Sequence, residues 1–171
     1  MERDDFVDAF YRFLFPKLTK AYLLRLGVLV VVTVGFFGVV CRPCVIDGAS
    51  MRPTYPAHGF VFCWRPAFWF GRKPKRGQVV MARYAGRNVM LLKRVVALEG
   101  DTVEFQNGVL LVNGKEPEGA WAHATECDWN LPQRTVEPGN VYLIGDNRSM
   151  PIEDHIFGQM SVKRLEGVPT W

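Results

Sequence analysis

Ser50 carries the hydroxyl with the most suggestive neighbours in this chain. It follows Gly48 and Ala49 and precedes Met51, Arg52 and Pro53 in the run DGASMRPT. Small residues before it let another backbone approach the hydroxyl, and Met51 and Pro53 shape the turn. A serine is a weak nucleophile until a base takes its proton. An ordinary turn serine is the other reading of these residues on their own.

A base is on offer in the run MLLKRVVALEGD, Met90 to Asp101, where Lys93 stands among aliphatic residues. Strand alternation puts Leu91, Lys93 and Val95 on one face and Leu92, Arg94 and Val96 on the other. Burial disfavours the ammonium, so a lysine enclosed in this way can lose its proton near neutral pH and act as a general base. The bland alternative is an edge-strand lysine that discourages aggregation. A third segment, VYLIGDNRSMPIEDHIFG from Val141 to Gly158, runs an apolar strand into a dense polar loop holding Asp146, Asn147, Arg148, Glu153 and His155. Such a loop can orient catalytic side chains or simply be a solvated turn.

The elements that must position these groups are of two kinds. Residues 21–41, AYLLRLGVLVVVTVGFFGVVC, hold one charge, Arg25, near one end. About 20 apolar residues suffice to cross a bilayer, and an arginine at the end can snorkel to the headgroups. The segment is therefore read as a transmembrane helix. Arg12, Lys17, Lys20 and Arg25 flank its N-terminal side, against Arg42 and Arg52 on the other. The N-terminus is expected in the cytoplasm and the following domain outside it. Residues 1–20 form a cytoplasmic segment in which Phe6, Phe10, Phe13 and Leu14 have the spacing of an interfacial helix, or of an extension of the span.

Residues 42–171 suffice for one further domain, and its local signals are strands. Asn-Gly pairs at 107–108 and 113–114 have the chemistry of tight hairpin turns. Short apolar runs at 60–63, 78–82, 89–98 and 141–144 lie between Gly and Pro punctuation, with no long helical period after Cys41. The expected fold is mostly β, an antiparallel β-sheet catalytic domain on a single N-terminal transmembrane helix. The 171 residues are 49% hydrophobic and 22% charged, which excludes a disordered chain. A net charge of +4 is too mild for a dedicated nucleic-acid binder, so no nucleic-acid partner is expected. Cys41, Cys44, Cys63 and Cys127 would face an oxidising compartment, with no pairing fixed by the sequence. Cys41 and Cys44 have metal or redox spacing, but no second pair or nearby His completes a site, so neither metal nor cofactor is expected.

Behind a membrane anchor and in this order, the segments resemble the type I signal peptidases, Ser/Lys proteases that remove signal peptides from exported proteins. The resemblance rests on SMRPT at Ser50 to Thr54, on KRV with the following GD pair between Lys93 and Asp101, and on GDNR at Gly145 to Arg148. It implies Ser50 as nucleophile and Lys93 as general base. It implies an Arg94–Asp146 salt bridge tying the lysine strand to the GDNR loop, with Asn147, Arg148, Glu153 and His155 as structural support. It further implies signal peptides and the lipid bilayer as partners, a monomer, and a place in the bacterial inner membrane with the catalytic domain outside. The substrate would be an extended peptide with small side chains one and three residues before the cut.

The departures are specific. Where many members carry an oxyanion-holding serine two positions before the nucleophile, this chain has Gly48, so the hole would rest on the Ser50 N–H, alone or with a neighbouring donor. Where members place a lysine-contacting serine after GDNR, this chain has Pro151, which cannot donate. Their later Asp and Arg are replaced by Glu153 and His155, which could pair once His155 is protonated. A Ser50–His155–Asp154 triad is the rival constellation, although Lys93 explains more of the pattern. Trp64, Phe68, Trp69 and Phe70, followed by the basic residues from Arg72 to Arg76, suggest a loop dipping into the outer leaflet, or else a hairpin buried on the core. The rival functions are a membrane-anchored binding or assembly protein that keeps the scaffold without turnover, and a self-cleaving Ser/Lys regulator. The presence of both Ser50 and Lys93 argues against the first and the span against the second.

Overall fold

The computed structural model describes Tyr11 and residues 19–85, 89–123 and 125–170. The chain divides into two units, 1–39 and 40–171. In the first, helix α1 (Lys20–Gly35) starts at Thr19, whose hydroxyl accepts the Tyr22 N–H, and a π-helical turn continues it over Phe36–Val40. Lys20–Val40 is long and apolar enough to span a membrane, and none of it is buried by protein. The helical run starts and stops one residue earlier than 21–41. Cys41 instead opens the first strand, because Pro43 lacks an N–H and disfavours helical backbone at Arg42. The expected interfacial helix in the first twenty residues falls, Tyr11, Thr19 and Lys20 apart, outside the described residues.

The second unit is antiparallel β throughout. Its ten strands among the described residues are β1 (Cys41–Asp47), β2 (His58–Trp64), β3 (Val79–Ala85), β4 (Val89–Leu98), β5 (Thr102–Gln106), β6 (Val109–Val112), β7 (Leu131–Thr135), β8 (Asn140–Ile144), β9 (Gly158–Ser161) and β10 (Leu165–Thr170). A seven-stranded sheet has the order β1-β2-β10-β3-β4-β8-β9, and a three-stranded sheet the order β6-β5-β7. Val96 and Ala97 from β4, Val103 and Phe105 from β5, and Tyr142 and Ile144 from β8 meet in one core cluster. Val95, Val96 and Ala97 are all fully buried, so this part of β4 is covered on both faces, which its unbroken aliphatic run reflects.

The Asn107-Gly108 pair closes the β5–β6 hairpin, with both residues at positive φ as a two-residue turn requires. A Cβ on Gly108 would lie 1.8 Å from the Cys127 carbonyl oxygen, so no other residue fits. Asn113-Gly114 also turns at positive φ, but only the single Val112–Lys115 bridge follows it, and no second hairpin forms. After Cys41 the helical turns are short 3-10 segments. All four cysteines are free thiols.

Candidate active site

Ser50 lies in the loop that joins β1 to β2. Gly48 N–H donates to Ala57 O (2.8 Å), closing the loop base, and Tyr55 N–H donates to Met51 O (2.9 Å), tightening its middle. Met51, Tyr55 and Ala57 are buried and anchor the loop, whereas Pro53, which follows a cis peptide bond, faces solvent. Ser50, itself half-buried, thus sits in a loop that apolar neighbours anchor. Among the described residues the Ser50 N–H donates to no acceptor, which leaves it available to an oxyanion. Gly48 adopts a φ of +132° with open space where its side chain would be.

Lys93 projects from β4 opposite Val80 of β3 and is 2% exposed. Burial lowers its pKa to about 8, and the nearby Asp146 charge only partly offsets that drop. Among the described residues its ammonium makes no hydrogen bond or ion pair. Ser50 and Lys93 line one groove of about 490 Å³, between the stretch Arg42–Gly48 and the first half of β4. Both walls present free backbone edges. β1 ends its sheet, and β8 pairs with β4 only from Arg94 onward, which leaves Val89 to Leu92 bonded on one side. Cys44 also lines the groove, yet burial raises its thiol pKa, so it is not a ready nucleophile.

The GDNR loop after β8 fixes both groups. Arg94 Nε donates to Asp146 Oδ1 (2.7 Å) and a second guanidinium nitrogen to Asp146 Oδ2, making a two-pronged ion pair that is nearly inaccessible to water. Thr54 Oγ1 donates to the same carboxylate, so Asp146 joins the lysine strand to the serine loop. Asn147 donates its backbone N–H to Ser50 O (3.0 Å) and its side-chain amide to Ala49 O (3.1 Å). Gly145 must be glycine, since a Cβ there would stand 2.2 Å from Ser50 O and 2.7 Å from His155 Nε2. Buried Arg148 donates its guanidinium N–H groups to the carbonyls of Trp121 and Ala122, lies over the Phe105 ring, and donates its backbone N–H to Thr125 Oγ1.

Two expectations fail here. Glu153 and His155 do not pair: Glu153 is exposed, while His155 is 4% exposed and its Nε2 accepts the Gly145 N–H (2.9 Å). Burial, then the charges of Lys93 and Arg148, lower the His155 pKa to about 4, so the ring is neutral. The Ser50–His155–Asp154 triad fails for the same reason. The nitrogen it would need already serves Gly145, the other ring nitrogen has no partner among the described residues, and Asp154 is exposed. Pro151 sits exposed at the start of a 3-10 turn. Residues that sequence reasoning left out of the site are Thr54, visible inside SMRPT, and Thr125, for which the sequence holds no signal.

The loop after β2 divides its aromatics. Phe68 packs on a core cluster and Trp69 is half-buried, while Phe70 is 95% exposed at positive φ. Among the described residues no three His, Cys, Asp or Glu side chains gather as a metal site would require.

The family model described as signal peptidase, peptidase S26, matches residues 19–170. The chain is 27% identical over 154 residues to signal peptidase I of Bacillus caldolyticus, covering 82% of each protein. It is 29% identical over 136 residues to signal peptidase I of Bacillus licheniformis, covering 74% of this chain and 73% of that one. It is also 29% identical over 147 residues to the probable thylakoidal processing peptidase 2 of Arabidopsis thaliana chloroplasts, covering 81% of this chain. The chain spans 39% and 43% of the length of the two Arabidopsis relatives it matches.

Proposed function

The chain belongs to the signal peptidase family, peptidase S26, and we propose that it is a serine endopeptidase that removes N-terminal signal peptides from exported preproteins at the outer face of the membrane. The observation that carries this reading is the shared groove, which a half-buried serine and a buried lysine both line. With a pKa of about 8, roughly a tenth of Lys93 is neutral at pH 7, enough to act as a base. Neutral Lys93 takes the Ser50 proton, and Ser50 Oγ attacks the scissile carbonyl carbon. The Ser50 N–H stabilises the resulting oxyanion, and the lysine ammonium returns its proton to the leaving amine. Water, deprotonated by Lys93, then releases the acyl group. Arg94, Asp146, Asn147 and Arg148 hold the two reactive groups in register.

The free edges of β1 and of Val89 to Leu92 suit an extended peptide, which would add its main-chain hydrogen bonds to one or both walls. Lys20–Val40 serves as the anchor, with the N-terminus in the cytoplasm and the β domain outside the bacterial inner membrane. The lipid surface is the second partner. On the outward face of the β1–β2 hairpin Val45 opposes Phe60, and Trp64 opposes Cys41, the residue that follows the span. Val45, Phe60 and Trp64 are all exposed. The hairpin extends about 20 Å from Cys41 towards the serine loop, so laying this face on the bilayer keeps Ser50 near the surface where signal peptides emerge. The protein acts as a monomer.

Gly48 and Pro151 favour one second reading, a membrane-bound binding protein without turnover. Expression in cells depleted of their own signal peptidase separates the two. The parent restores preprotein processing and Ser50→Ala or Lys93→Ala does not. Processing by Lys93→Ala at the parental rate would remove Lys93 as the base, and no processing by the well-expressed parent would leave the binding reading.

A further inference from the structure

His155 is a buried titratable side chain that the mechanism above does not use. Its Nε2 accepts the Gly145 N–H, so the ring proton sits on Nδ1, a buried donor with no partner among the described residues. Orphaned buried donors are rare because they lose water without regaining a bond. The ring is held edge-on by Trp129, at 4.9 Å between centroids, and against Phe157. These contacts fix its plane and aim Nε2 at the Gly145 peptide. Gly145 in turn stands where any Cβ would collide with Ser50 O as well as with the imidazole. The imidazole, the Gly145 backbone and the nucleophile's own carbonyl therefore form one stack with no space between them.

We propose that His155 is a positioning residue, whose neutral Nε2 holds the Gly145 peptide against the Ser50 carbonyl and thereby sets the serine loop relative to Lys93. The inference rests on the Ser50/Lys93 reading. An arginine at this position could not accept the Gly145 N–H, and neither could a protonated histidine. The charged groups facing the ring from other elements, Lys93 on β4 and Arg148 after Asn147, both oppose protonation, while Glu153 and Asp154 of its own segment face solvent.

The test compares His155→Gln, whose side-chain oxygen can reach the Nε2 position, with His155→Phe, which keeps a ring but offers no acceptor. The full chain in detergent is assayed on a peptide with alanine one and three residues before the cut, and Ser50→Ala is run alongside. His155→Phe should lose roughly tenfold or more in kcat with KM little changed, while His155→Gln stays within about threefold of the parent. The acid limb of kcat/KM should keep its midpoint in both, because both replacements are uncharged. Hydrogen exchange provides a readout that does not need turnover. The Gly145 amide and the Asn147 amide, which is bonded to Ser50 O, should lose protection in His155→Phe and keep it in His155→Gln. Parental kcat and parental protection in His155→Phe would overturn the proposal, as would equal losses in both variants accompanied by a fall in Tm. A parent that cuts nothing, or whose cutting survives Ser50→Ala, sinks the peptidase reading instead, and the exchange pattern still decides the role of His155.

Discussion

At the scale of single residues, the protein combines two requirements that oppose each other. A base must be uncharged to take a proton, and the means used here is to deny Lys93 water. The gap between about 8 and the ordinary 10.5 corresponds to about 3 kcal/mol of folding stability. The sign follows from proton binding. Between those pH values the unfolded chain holds a proton on Lys93 that the folded chain has released, so stability rises with pH through this window. Below about 8 the whole penalty is present. Lys93→Met should therefore be inactive yet more stable than the parent at pH 7, by up to about 3 kcal/mol in urea denaturation, and should lack the parent's gain in stability above pH 8. Equal stability of the two proteins at pH 7 would show that the ammonium is solvated. The same ionisation sets the rate. kcat/KM should climb about tenfold per pH unit up to about pH 8 and then level, and a flat profile from pH 6 to 9 would mean that another group is the base. Gly145→Ala places a methyl group against Ser50 O and should cost about a hundredfold in kcat. Wild-type turnover in that variant would show that the loop has room to give.

Among elements, β4 is the one on which the others depend. It carries Lys93 into the groove and Arg94 toward Asp146, it pairs with β3 and β8, and its later residues enter the core shared with the smaller sheet. The Arg94–Asp146 pair links this strand to the GDNR loop, and Thr54 brings in the serine loop through the same carboxylate. Asp146 is fully buried, so removing its cation leaves a charge without compensation. Arg94→Ala should destabilise the domain by about 3–5 kcal/mol, and adding Asp146→Ala should cost much less than the sum of the two single changes. Additive losses in the double-mutant cycle would mean that the two side chains act independently.

For the molecule as a whole, an apolar helix long enough to cross a bilayer precedes a β domain that buries its own core. Val45, Phe60 and Trp64 on the β1–β2 hairpin, exposed Phe70, and the exposed basic Arg72 and Lys75 suit an anionic lipid surface. A protein lacking residues 1–40 should still sediment with vesicles containing anionic lipid, and less so as salt is raised. Replacing Phe60, Trp64 and Phe70 with serine should abolish the binding, whereas unchanged partition would place the lipid contact elsewhere.

The mostly antiparallel β fold behind an apolar helix was legible because its signals are local: hydropathy over some twenty residues, Asn-Gly turns, and strands between Gly and Pro. Ser50 and Lys93 were each ambiguous in their own runs, and it was the resemblance carried by SMRPT, KRV with its GD pair, and GDNR in that order that singled them out. The sequence could not show which loop atoms meet. Thr54 on Asp146, Asn147 on Ser50 O and Thr125 on Arg148 join residues distant along the chain, and only the strand order brings them together, while His155 on Gly145 depends on how the β8–β9 loop folds back on itself. The Glu153–His155 pair was implied by the resemblance, where these residues replace an Asp and an Arg. Tertiary packing overruled it, since a ring enclosed by Trp129, Phe157 and the Gly145 backbone is cheaper to hold neutral than to ionise. Propensity and hydropathy act over neighbouring residues, whereas burial and hydrogen-bond partnership belong to the assembled sheet.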